Sequence, residues 1–521
     1  MSLYTAPHTV RLSQFLAAHP RWADVIACLA GIALVLAFAP FAWRPMAVLA
    51  PAVLFGLWAL APTARQALRR GLWFGLGQFG LGVSWVYFSI HDFGEAPPVL
   101  AGLITLLLVV CLALFLALLG WGLYRLRSRR RLGLYLVVAL PAGWVLAEWV
   151  RNWLLTGFPW LLLGHTQVDT WLNGLAPLAG TFGLSLVVAL LAGLTAWLVL
   201  TSEWRLRLVL VMLAAVILLG GLGARQFTWS QPAGNAMDVA LVQGNIPQAL
   251  KWQPEHREPF FRRYQRLTTE HLGADLILWP ESALPAFYHE AREAFLVPLA
   301  TQVQSAGGRL ITGVLVYDFD RQQMYNALLA PAADGQDGLY YKRHLVPFGE
   351  YVPFGLLDTL EQFLTVTAFN TSPGRGRNLL KVNGSVIGAS ICYEVVFGEE
   401  IVEALPAAEL LVNVSNDAWF GGSIGPKQHF EIARMRSLET ARPLLRATNN
   451  GITAVVAANG QVQARLPQFT IDVLRAQVQP RTGITPYAWW GNYPVVLLAL
   501  MLLTVAWWWR RADSHADSFS R

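Results

Sequence analysis

Cys392 stands in "SICYEVVF" (residues 390–397), directly after an apolar run and two residues before Glu394. It is one of three cysteines in 521 residues, and the other two, Cys28 and Cys111, lie in long apolar segments. A thiol becomes a nucleophile when a neighbour stabilises its thiolate or removes its proton. Two residues elsewhere offer those services. Glu281 closes the run "LILWPES", and Lys342 sits in "GLYYKRHLVPFGEYVPF"; the three are spaced 61 and 50 residues apart. Each also has a plainer reading. A strand cysteine behaves as a small core hydrophobe, a carboxylate after a strand caps a turn, and most lysines are solvated surface charges.

The segments that would have to position these groups look like strands. Apolar runs ending in small or polar residues occur at 237–245, 274–282, 309–317, 325–331, 385–394, 409–417 and 451–460. Helix-like stretches lie between some of them, at 255–273 and 428–442. Strands alternating with helices predict a layered α/β architecture. No solenoid-type repeat or low-complexity segment interrupts it. The terminal "ADSHADSFSR" reads as a polar, unstructured tail.

Composition sets this domain in a larger frame. The chain is 55% hydrophobic, with 22 tryptophans and only 14% charged residues, too apolar for an ordinary soluble enzyme. The long uncharged runs lie before residue 224 or after 490, leaving a normal globular composition between them. Eight runs have the length a bilayer core asks of a helix: 24–41, 46–62, 71–90, 98–124, 132–150, 174–200, 206–223 and 492–509. The fifth is interrupted by Pro141 and Glu148. The first reads as a retained anchor, because Pro40 follows the "AFA" at 37–39 and further spans come after it. This divides the chain into a membrane domain at 1–223, an α/β domain at 224–490, and an eighth span with a tail at 491–521.

Arginine placement orients the spans. Arg65, Arg69 and Arg70, the loop "RLRSRRR" (125–131), Arg205 and Arg207, and Arg510 and Arg511 all fall on one side, whereas "HDFGEAPP" (91–98) on the other is acidic. The basic side, with both termini, is expected to be cytoplasmic and the α/β domain external. The formal net charge of +7 follows largely from this pattern and carries no nucleic-acid footprint. An external domain with one cysteine forms no internal disulfide, so Cys392 is a free thiol.

Taken together, "WPES", "YYKRHLVPFGEYVP" and "ICYEVVF" resemble the glutamate, lysine and cysteine signatures of the nitrilase superfamily, in that order. With the eight spans, "LVQGNIPQALKW" (241–252), "TGFPW" (156–160) and "NVSNDAWFG" (413–421), the whole chain resembles the apolipoprotein N-acyltransferase family. That resemblance implies an α-β-β-α sandwich for the α/β domain and a catalytic triad of Glu281, Lys342 and Cys392. By motif position it implies support from Glu350, Glu394, Tyr393 and Asn326. Trp252, Trp419 and Trp160 would line or shape the substrate site.

These residues suit acyl transfer through a thioester. Glu281 would take the thiol proton as Cys392 attacks an ester, and Lys342 with a backbone N–H after Cys392 would hold the oxyanion. The chemistry asks for no cofactor and no metal, and His344 and His429 read as structural residues, not ligands. The resemblance implies a phospholipid donor, typically phosphatidylethanolamine giving its sn-1 chain. The acceptor would be the α-amine of a diacylglyceryl-cysteine on a bacterial lipoprotein, at the periplasmic face of the inner membrane. Two local features fit a lipid substrate: "FGLLDTLEQFLTVTAF" (354–369), either a core helix or an amphipathic arm, and the tryptophan-rich stretch 152–164. The alternatives are a membrane-tethered amidase or hydrolase using the same triad, and a transporter or scaffold with an inactive domain. Against the last, the spans carry almost no charge beyond Glu148.

The orientation is testable with a cysteine placed in the 125–131 loop of a variant lacking Cys28, Cys111 and Cys392. A membrane-impermeant thiol reagent added to intact cells should leave it unlabelled and label it after lysis. Labelling from outside would reverse the topology.

Overall fold

The computed structural model describes residues 7–128, 130–332, 335–351, 370–382 and 384–518. The candidate arm at 354–369 lies outside the described residues. Two compact units emerge: a helical one within Met1–Val86, Val99–Phe227 and Trp490–Arg521, and an α/β one formed by Tyr87–Pro98 and Thr228–Trp489.

In the helical unit five helices are long and apolar enough to cross a membrane: Pro98–Tyr124, Leu132–Thr156, Trp171–Leu200, Trp204–Ala224 and Tyr493–Ser514. Thr9–Ala18 and Pro20–Val35, bent by 105°, make a sixth if they count as one span. The other two expected spans are helices of a different kind. Met46–Ala59 is apolar but only 14 residues long. Ala64–Gly82 begins inside the basic loop and carries Arg65, Arg69 and Arg70 in its first two turns, which dilutes its apolar character. Glu148 is buried, its Oε1 accepting from Trp144 Nε1 and from the Leu163 N–H, each at 2.9 Å. The tail differs from expectation: the last helix runs over Tyr493–Ser518. Asp513, buried on it, accepts from Ser128 Oγ and from Arg131 Nε, and these bonds give a polar sequence a reason to stay helical.

The α/β unit contains these strands: β1 Ser230–Pro232, β2 Met237–Gln243, β3 Leu276–Leu278, β4 Arg309–Asp318, β5 Gln323–Ala330, β6 Gly338–Tyr341, β7 Leu379–Val382, β8 Ser385–Ile391, β9 Leu410–Ser415, β10 Leu444–Thr448, β11 Ala454–Val456, β12 Val462–Arg465, β13 Asp472–Val478 and β14 Arg481–Gly483. Two six-stranded sheets result, in the orders β13-β2-β3-β4-β5-β6 and β12-β11-β10-β9-β8-β7. Each has three parallel strands at its centre, β2-β3-β4 in one and β8-β9-β10 in the other, flanked by antiparallel neighbours.

Both faces of the central strands are buried, which is why they read as continuous apolar runs. Val239, Leu241, Leu276, Leu278 and Ile311 of the first sheet share one core with Ile387, Ala389, Ile391, Val412, Val414 and Leu445 of the second. The alternate residues Ala240, Val242, Ile277 and Trp279 pack outward against Phe260, Tyr264 and Leu267 of helix Pro254–Thr269 and Leu299 and Val303 of helix Val297–Ser305. Helix Gly425–Thr440 packs against β10 on the second sheet. The layers are therefore helix, sheet, sheet, helix.

Leu278 is wholly buried between the sheets. Leu278→Ala should destabilise the α/β unit by about 2–5 kcal/mol through lost burial and the cavity left behind. Denaturant unfolding of the detergent-solubilised protein measures this, and an unchanged midpoint would contradict the two-sheet core.

Candidate active site

The three chemical residues stand just beyond the carboxyl ends of strands. After β3 the chain still pairs with β4: the Trp279 N–H donates to the Ile311 carbonyl at 2.8 Å, and the Gly313 N–H to the Pro280 carbonyl at 3.2 Å. Gly313 makes this possible, because a Cβ there would lie 2.6 Å from the Glu281 Cα. The turn presents Glu281 as a buried carboxylate with both oxygens engaged. Oε1 accepts from Asn326 Nδ2 at 2.7 Å, and Oε2 from the Asn416 N–H at 2.8 Å.

Lys342 follows β6 and extends its ladder, its N–H donating to the Asn326 carbonyl at 2.8 Å. Its side chain is 1% exposed, with Nζ 2.8 Å from Glu350 Oε2 and 3.5 Å from Glu281 Oε1. Asn326 Nδ2 also donates to Glu350 Oε1 at 3.2 Å, and the Val346 N–H to Glu350 Oε2 at 2.8 Å. Burial works against the Lys342 ammonium, but Glu350 and Glu281 more than offset it and hold its pKa well above the ordinary lysine value. Lys342 is a fixed cation.

Cys392 opens a 3₁₀ turn, Cys392–Val396, directly after β8, and its φ of +51° is left-handed. For a residue with a Cβ that conformation costs about 1–2 kcal/mol, so the surroundings must impose it. Glu394 supplies part of that constraint. Its Oε2 accepts from the Ile391 N–H at 2.7 Å. Its Oε1 accepts from Tyr340 Oη at 2.7 Å and from the N–H groups of Arg343 and His344 at 2.6 and 3.2 Å. One carboxyl group thereby ties the end of β8 to the two residues after Lys342. Burial raises its pKa despite these donors. Tyr393 packs edge-on against Phe397 and His344.

The thiol's pKa is pushed up by burial and by the Glu281 charge, with Lys342 opposing. A neutral thiol attacks only with a base in the same step, and of the carboxylates coupled to this one electrostatically, Glu281 acts more strongly than Asp417.

Of the expected residues, Glu281, Lys342, Glu350 and Asn326 share one network, and Glu394 joins the Lys342 and Cys392 segments. Trp419 is 42% exposed, edge-on to Phe93, and its carbonyl accepts from Ser89 Oγ at 2.7 Å. Trp252 is half-buried just before helix Pro254–Thr269. Trp160 belongs to the helical unit, buried against Trp85 and Phe158. Its surroundings there are those of a packed core residue.

Sequence reasoning missed Lys251, which is 3% exposed beside Trp252 and lowered to about 8 by burial, with Glu281 opposing. It also missed a charged cluster of Asp417 and Arg446, both fully buried. Burial opposes the Asp417 charge, yet Arg446 holds its carboxyl well below the usual range. The available signal was an arginine inside the apolar run "PLLRATNNG". Among the described residues, no group of three or more His, Cys, Asp or Glu side chains is arranged to hold a metal.

With this geometry in place, comparison with known proteins is informative. Residues 30–194 match the apolipoprotein N-acyltransferase N-terminal domain, and residues 238–487 match the carbon-nitrogen hydrolase family. The apolipoprotein N-acyltransferase of Methylococcus capsulatus is 42% identical over 502 residues, covering 95% of this chain and 98% of that protein. Those of Vibrio cholerae and Nitrosomonas europaea are 40% and 43% identical, covering 92% and 90% of this chain and 95% and 93% of the relatives. Among solved structures, a CN-hydrolase superfamily protein from Xanthomonas campestris aligns with a TM-score of 0.36 and 21% identity, over 47% of this chain and 91% of its own.

The electrostatics predict opposite effects from two substitutions. Lys342→Met removes the charge that lowers the thiol pKa, so the pH profile of Cys392 alkylation by iodoacetamide should move to higher pH. Glu281→Gln removes a charge that raises it, and the profile should move to lower pH. On the limb below the pKa, displacing the profile by one pH unit alters the alkylation rate about tenfold. Displacements in the same direction would contradict this arrangement of charges.

Proposed function

The chain belongs to the apolipoprotein N-acyltransferase family, and we propose that it performs its acyl transfer through a thioester on Cys392. It is an acyltransferase of bacterial lipoprotein maturation, a membrane protein that takes an acyl group from a lipid and places it on a lipoprotein amine.

The carrying observation is a cysteine in left-handed conformation at a strand end, electrostatically coupled to the buried, mutually paired Glu281 and Lys342. In the first half-reaction Glu281 accepts the thiol proton as Sγ bonds to the ester carbon and the carbonyl π electrons move onto oxygen. Lys342 Nζ and the Tyr393 N–H stabilise that oxyanion. Collapse breaks the ester C–O bond, and Glu281 returns the proton to the departing glycerol oxygen, leaving a thioester and a lysolipid. In the second half-reaction a neutral α-amine attacks the thioester. Its proton passes through Glu281 to Sγ, forming an amide and restoring the thiol. Glu350 and Asn326 hold the charges in register, and Glu394 holds the Cys392 turn. Tyr393, Trp252 and Trp419 shape the walls along which acyl chains lie.

The donor is a phospholipid, phosphatidylethanolamine in the simplest case, giving its sn-1 chain; the acceptor is a diacylglyceryl-cysteine. Support for this finer reading comes from the apolar character of the helical unit and from the arginine distribution. On this reading residues 1–223 and 491–521 lie in and beside the inner membrane as eight spans, and the catalytic domain, 224–490, lies on the periplasmic side.

Purified enzyme incubated with phosphatidylethanolamine and no acceptor should gain the mass of one acyl chain on Cys392. Neutral hydroxylamine should remove it, and a diacylglyceryl lipopeptide with a free amine should discharge it as an amide. Cys392→Ser should lose turnover. An adduct on another residue contradicts the mechanism, and rapid discharge to water alone would make the protein a hydrolase.

A further inference from the structure

A second polar network lies on the outer face of the second sheet, opposite the inter-sheet core. Ser390, Asn413 and Arg446 are in register on the adjacent parallel strands β8, β9 and β10. Their neighbours Ile391, Val412, Val414, Leu445 and Ala447 point into the core between the sheets. By strand alternation the three polar residues face the other way, toward His429 on helix Gly425–Thr440.

Arg446 organises this face. One guanidinium nitrogen donates to Asn413 Oδ1, and a second lies 3.0 and 3.2 Å from Asp417 Oδ2 and Oδ1 and 3.0 Å from His429 Nδ1. The Cys392 carbonyl 3.2 Å from Nε2 only accepts, so Nε2 carries the proton; in the neutral ring that leaves Nδ1 its lone pair, turned to the donating guanidinium. Burial and the Arg446 charge both disfavour the imidazolium. The 3.3 Å approach of Nδ1 to Asp417 Oδ1 follows from their sharing Arg446. Nε2 then donates to the Cys392 carbonyl at 3.2 Å. Asn413, its Oδ1 held by Arg446, directs Nδ2 to Ser390 Oγ at 3.1 Å and toward the same carbonyl at 3.5 Å. Gly451 leaves room for Asp417, since a Cβ there would lie 2.1 Å from Asp417 Oδ2.

In a trans peptide the C=O and the following N–H point in opposite directions in one plane. Whatever fixes the Cys392 carbonyl therefore fixes the Tyr393 N–H. We propose that His429 is a positioning residue: by holding the Cys392 carbonyl it orients the Cys392–Tyr393 peptide and aims the Tyr393 N–H at the oxyanion. This rests on the reading above, that Cys392 is the nucleophile and that this N–H is an oxyanion donor.

Two reactions of the same thiol separate positioning from a general structural role. Attack on an ester passes through an oxyanion; displacement of iodide from iodoacetamide does not. The test follows thioester formation from phosphatidylethanolamine in mixed micelles, and alkylation by iodoacetamide, by intact mass in the full-length enzyme. His429→Met should slow acylation about 100-fold, the cost of losing an oxyanion donor, with little change in donor KM and alkylation near the wild-type rate. His429→Gln keeps an acceptor for Arg446 and a donor that reaches the carbonyl, so it should recover most of the loss. If the Met variant does not fold, His429→Asn serves in its place, because its shorter amide satisfies Arg446 but falls short of Cys392. Acylation at the wild-type rate in the Met or Asn variant would overturn the proposal, as would equal losses in acylation and alkylation. No adduct on Cys392 in the wild-type enzyme would instead overturn the reading on which it rests.

Discussion

The site depends on keeping the Lys342 ammonium charged inside the protein. Removing an ion from water costs several kcal/mol even after relaxation, and here the side chain is 1% exposed. Stability at that position demands carboxylates at contact distance, and these come from two different segments: Glu350 from the loop after β6 and Glu281 from the turn after β3. Two carboxylates facing one ammonium leave a negative balance. Lys251, buried and electrostatically coupled to Glu281, offsets that balance below a pKa that burial lowers to about 8. The sheet register, the glycine at 313 and the amide of Asn326 can all be read as conditions for that arrangement.

The same charges decide how the thiol works. Burial and Glu281 keep Cys392 protonated, so the enzyme does not hold a standing thiolate exposed to oxidation or stray electrophiles. On the proposed mechanism proton removal is coupled to attack, which suits a thiol that must wait for a lipid ester and then for an amine. A thiol of lower pKa would be a better leaving group from the thioester but would rest as a less protected thiolate.

Much of this was legible in the sequence because both faces of the central strands are buried. Runs such as 237–245, 274–282 and 385–394 advertised β2, β3 and β8, and the last two carry Glu281 and Cys392 at their ends; Lys342 follows β6, which no such run marked. Where a strand has a polar outer face the signal fails: β10 holds Arg446 at its centre and was not recognised. Lys251 escaped because a lysine in a short loop is ordinarily solvated, and only the surrounding fold buries it. The helical tail needed Ser128 and Arg131, nearly 400 residues away in the chain, to explain Asp513. The early spans were harder to delimit because helices Met46–Ala59 and Ala64–Gly82 are respectively short and arginine-bearing. Apolar content alone does not set helix ends there.

Two polar networks therefore approach Cys392 from different sides, and their chemistry differs for a physical reason. The group of Glu281, Lys342 and Glu350 contains a base and a fixed cation at the strand ends, where open α/β sheets ordinarily take their ligands. It is suited to moving a proton and meeting developing charge. In the group of Arg446, Asp417, Asn413 and His429, Arg446 holds the Asp417 carboxyl well below its usual range, and burial with Arg446 keeps the imidazole neutral. Groups locked in one protonation state contribute direction without exchanging protons with the substrate. On the proposed mechanism a nucleophile held in a strained backbone conformation needs both: one network to make attack electrostatically possible, and another to keep the peptide that receives the oxyanion from rotating away as the charge appears.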